Sequence, residues 1–128
     1  IFKQVPKSEA GRMAGLWFLS AYKLDKAKGW KMYALAFDRQ KEVEAAPDKT
    51  MRAIAKEVGL DLGKLEMVMK AQAKQFGDMM DADIEEADAL GFVGTPYFLV
   101  NDLEVHGALS LEDFSTAVDM ALAKKAGK

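Results

Sequence analysis

The sequence predicts a mostly helical α/β domain in which a run of amphipathic helices is followed by one β-hairpin and a closing helix. Apolar residues recur at three- and four-residue steps through most of residues 8–90, the signature of helices with one buried side. The period then changes. Tyr97-Phe98-Leu99-Val100 is a continuous β-prone run, Asn101-Asp102 are turn residues, and Leu103-Glu104-Val105-His106 reads as the return strand. After Ser110 the helical period resumes.

Taken in order, Ile1-Phe2-Lys3-Gln4-Val5 is strand-like and stops at Pro6. It has no partner strand nearby in sequence, and the chain begins with Ile rather than Met, with no charged and apolar leader after it. Both features suggest a processed chain or a fragment. From Ser8, a natural N-cap, to about Lys23, the residues Met13, Leu16, Trp17, Ser20, Ala21 and Leu24 mark a first helix. A second begins after Gly29, with Trp30, Tyr33, Ala34 and Phe37 on its buried side. Ala45-Ala46-Pro47-Asp48 is a break. Asp48 then caps a third helix, which carries Met51, Ile54, Ala55 and Val58 and is closed by Gly59 at C′. Asp61 caps a fourth helix with Leu62, Leu65, Val68, Met69 and Gln72 along one side. A fifth runs from Met80 to Leu90 and stops at Gly91. Ser110, with Asp113 three residues on, opens the last helix, whose inner face is Leu111, Phe114, Ala117, Val118, Ala121 and Leu122. Lys124, Lys125 and Lys128 form a basic tail suited to that helix's negative end.

Composition narrows the function classes. The 128 residues are half apolar, enough for a domain with a real core. With no cysteine, these residues offer no disulfide framework, thiolate nucleophile or thiolate metal site. The net charge of −2, with both signs interspersed, gives no electrostatic footprint for nucleic acid or an anionic membrane surface. The apolar runs fall far short of the ~18 residues a membrane span needs. Neither nucleic acid nor membrane is expected as a partner, and no cofactor is indicated.

The hairpin raises two questions. A two-stranded sheet is marginal alone in water, so the opening segment or strands outside this chain must complete it; failing that, its open edge should seek a partner, through dimerisation or strand exchange. The second question is Gly94-Thr95-Pro96, directly before the first strand. Proline cannot donate to a ladder, so it marks either the start of pairing in trans or a cis bond. A cis bond would turn the Thr95 backbone outward at a strand edge, where an extended peptide can pair with it.

Gly91-Phe92-Val93-Gly94-Thr95-Pro96-Tyr97-Phe98-Leu99-Val100-Asn101, His106-Gly107-Ala108 and Ser110-Leu111-Glu112-Asp113-Phe114 together resemble the C-terminal part of the DsbA-like thiol-disulfide oxidoreductases. The preceding order, a strand ending at a proline and then several helices, looks like the helical domain which that family inserts into its thioredoxin fold. The resemblance implies a partial thioredoxin-like fold lacking the N-terminal β-α-β unit that bears the Cys-x-x-Cys. Residues 1–6 would be the end of a thioredoxin-domain strand, 7–90 the inserted helical domain, and 91–128 the closing β-β-α unit. It further implies periplasmic or extracytoplasmic disulfide formation in secreted proteins, with the catalytic pair upstream of Ile1. Its partners would be thiol-containing proteins or peptides and a redox partner protein. Gly94, Thr95 and Pro96 would be the substrate-binding cis-proline loop. The alternatives are a cysteine-free peptide-binding or chaperone module, or a glutathione-dependent transferase or isomerase of related fold.

Other signals carry less. Met51 to Met69 has helix-turn-helix spacing at Ala55 and Gly59, but the second helix mixes Lys64, Lys70 and Lys74 with Glu66 on an acidic chain, unlike a recognition helix. The acidic run Asp78, Asp81, Asp83, Glu85, Glu86, Asp88 lacks the glycine of a calcium loop and reads as a solvated helix face. A lone histidine, His106, cannot make a metal site. The eight methionines fall mostly at core spacing, as do Trp17, Trp30, Tyr33 and Phe37.

Overall fold

The computed structural model describes residues 1–127; Lys128, counted above in the basic tail, lies outside the described residues. The helices are α1 (Glu9–Leu24), α2 (Lys26–Asp38), α3 (Gln40–Ala45), α4 (Pro47–Glu57), α5 (Leu62–Ala89) and α6 (Leu111–Ala126), and the strands are β1 (Tyr97–Val100) and β2 (Leu103–His106). The chain divides into two compact units, Ile1–Glu86 and the residues from Ala87 onward. It is therefore mostly helical with one small antiparallel hairpin, and among the described residues no larger thioredoxin-type sheet forms.

The first unit is a helical bundle around Trp17, Ala21, Met32, Val43, Met51, Ile54, Ala55, Leu60 and Leu65. Several of these are wholly buried, each stabilising by about 1.5–3 kcal/mol relative to exposure. Three polar groups at the core are hydrogen-bonded: Trp17 Nε1–H donates to Asp48 Oδ1 at 3.3 Å, Ser20 to Leu16 O at 2.8 Å and Thr50 to Glu42 O at 3.0 Å; Gln4 Nε2 and Gln72 Oε1 are buried without a partner. α4 ends in paired bonds from Gly59 N–H to Lys56 O and Leu60 N–H to Ala55 O, with Gly59 at φ +78. Ala55 and Gly59 thus serve packing and capping.

Three expectations are corrected here. Gly29 does not precede the second helix but lies inside α2, capped instead by Asp25, whose side chain accepts from Lys28 N–H. A Cβ on Gly29 would sit 2.7 Å from Tyr22 Cα, so glycine is required for the close approach of α1 and α2. The fourth and fifth helices are one, α5, because Phe76 and Met80 continue the buried stripe of Leu65 through Gly77. The strand expected over Ile1–Val5 is not formed; the segment carries no ladder among the described residues. Side chains fix it: Gln4 N–H donates to Asp83 Oδ2 at 2.9 Å, and Lys3 Nζ lies 2.9 Å from Glu86 and 3.3 Å from Asp83.

Phe2 joins Phe18, Tyr22, Trp30, Tyr33 and Phe37 in an aromatic cluster with ring centroids 4.8–5.9 Å apart. Of the aromatic residues assigned to the core, Trp17 is buried, whereas Trp30 is 42% and Phe37 61% exposed. Lys26 Nζ sits 5.8 Å from the Tyr22 ring.

The second unit is small. β1 and β2 pair in the register Tyr97↔His106, Phe98↔Val105, Leu99↔Glu104, Val100↔Leu103. The loop is the two residues Asn101-Asp102, and Asn101 takes the positive φ of 54° that a tight hairpin turn requires. α6 covers one face, with Phe98 edge-on to Phe114 at 4.9 Å, Val105 and Ala121 buried, and Asn101 Nδ2 donating to Ala121 O at 3.4 Å. Ser110 caps α6 through Asp113 N–H and donates its own hydroxyl to Asp113 Oδ2.

Candidate functional site

The approach to β1 is built by the end of α5. Gly91 N–H donates to Asp88 O and Phe92 N–H to Ala87 O, closing the helix. The chain then runs exposed through Val93, Gly94, Thr95 and Pro96. Gly94 has φ +84 with nothing near it, so backbone conformation, not crowding, calls for glycine. The Thr95–Pro96 bond is cis.

Hydrogen-bond parity decides what this segment presents. Pro96 O accepts from Gly107 N–H at 2.9 Å. Antiparallel pairs alternate between bonded and non-bonded, so Phe98 with Val105 and Val100 with Leu103 exchange bonds across the hairpin. The N–H and C=O of Tyr97 and Leu99 therefore point the other way. No third strand meets them among the described residues. This edge carries no charged side chain, and Leu99 is 53% exposed.

Next to the edge lies a group that the sequence did not reveal. Phe92 stacks on Tyr97 at 3.5 Å, the Tyr97 ring meets His106 at 4.4 Å, and His106 Nε2 is 3.5 Å from Glu104 Oε2. Desolvation, then the hydrogen bond to Glu104, pushes the Tyr97 phenol up to about 12. The signal was the two-residue period that places Glu104 and His106 on one face opposite Tyr97, but it needs the register to be read. Among the described residues no set of three or more His, Asp or Glu is placed to hold a metal. The acidic run is mostly engaged in ion pairs, Asp81 with Arg12, Asp83 and Glu86 with Lys3, and Asp78 with Lys74. Met32, Met51 and Met80 are core residues, while Met67, Met79 and Met120 are exposed.

A helical unit followed by this proline loop, hairpin and capped helix agrees with comparison to protein families: the model of the DSBA-like thioredoxin domain matches residues 3–119. The chain belongs to that family. No curated protein and no solved structure matches it.

The family match corrects two expectations. The DSBA-like match is not confined to a C-terminal portion; it runs over nearly the whole chain. That span contains no cysteine, so the picture of a remnant disulfide oxidoreductase served by an upstream Cys-x-x-Cys, and the redox activity attached to it, is overturned. Within this DSBA-like domain, Gly94, Thr95 and Pro96 stand together, exposed, at the mouth of the β1 edge.

Proposed function

We propose that this chain is a non-redox, peptide-binding member of the DSBA-like family, which receives an extended segment of another protein along the outer edge of β1. The observation that carries this is the outward N–H and C=O of Tyr97 and Leu99, aligned on a strand whose other edge is already paired. An added strand takes its affinity from such main-chain bonds and its selectivity from the neighbouring side chains, here Phe92, Tyr97 and Leu99. Gly94-Thr95-Pro96 would flank the end of the peptide. In this view the hairpin and α6 are the closing β-β-α unit of a thioredoxin-type domain, and family membership favours an extracytoplasmic, periplasmic-type setting.

The test is titration of labelled protein with extended apolar peptides, followed by amide NMR. Shifts should centre on Tyr97 and Leu99. Leu99→Pro removes one outward N–H without touching the ladder to β2, since proline is tolerated on an edge strand, and should weaken binding about tenfold, the ~1.4 kcal/mol of one hydrogen bond. Equal binding by Leu99→Pro, or by peptides N-methylated at alternate residues, would refute strand addition.

A further inference from the structure

We draw no further inference here: the strongest candidate, the exposed aromatic patch of Phe2, Trp30 and Phe37 beside α1 and α2 in the helical unit, is an unpartnered apolar face, and nothing in the structure shows what covers it.

Discussion

The two units are stabilised in different ways. The first buries Trp17, Met32, Met51, Ile54 and Leu65 between several helices, with the Trp17 indole hydrogen-bonded to Asp48. The second has a hairpin and one helix, a handful of buried apolar residues, and a strand edge whose main-chain groups find no strand to pair with among the described residues. A large apolar core supports a fold; a strand edge is where a partner can contribute. Under the proposed function the helices are the scaffold and the hairpin the recognition element.

Substitutions can break that contrast, beginning with the bundle. Trp17→Ala removes a fully buried ring and its bond to Asp48, and should cost about 3–5 kcal/mol by urea unfolding. Gly29→Ala should cost about 1–3 kcal/mol, because the new methyl meets the Tyr22 backbone, which cannot yield as a flexible side chain would. An unchanged urea midpoint in Gly29→Ala would mean that α1 and α2 are not so closely apposed.

The hairpin carries its own signature in pH. The folded state holds the Tyr97 phenol at about 12, above the ~10 of an unfolded tyrosine. A raised pKa favours the neutral form in the folded state, so this contribution is complete below pH ~10 and lost as pH rises through about 12. Ultraviolet titration should show a late tyrosinate that Tyr97→Phe abolishes. The smallest effect is expected on the surface of α5, where the Lys74–Asp78 pair at 2.7 Å is exposed and screened by solvent and should contribute almost nothing to stability. A Lys74→Met variant of unchanged melting temperature would agree.

Much of the fold was legible from residue pattern. The β-prone run Tyr97–Val100, the Asn101-Asp102 turn and the return strand stand where the period changes, and Ser110 and Ser8 cap α6 and α1 as their chemistry dictates. One error came from a glycine read as punctuation: Gly29 lies inside α2, where Tyr22 approaches too closely for a side chain, and that approach is a tertiary fact. Another was the split of α5, which Phe76 and Met80 bridge by their burial. Ile1–Val5 has the composition of a strand, but Phe2 enters the aromatic cluster and Lys3 and Gln4 are held by carboxylates of α5. The exposed Gly94-Thr95-Pro96 segment was visible in the sequence; the Tyr97–Glu104–His106 group was not, since it depends on cross-strand register.

Amide hydrogen exchange along β1, in dilute free protein, tests the central claim most directly. Phe98 and Val100, bonded to β2, should be protected, while Tyr97 and Leu99 should exchange rapidly and gain protection when a peptide is supplied. Equal protection of all four in the dilute free chain would show that the edge is already covered, and would contradict the assignment of recognition to β1.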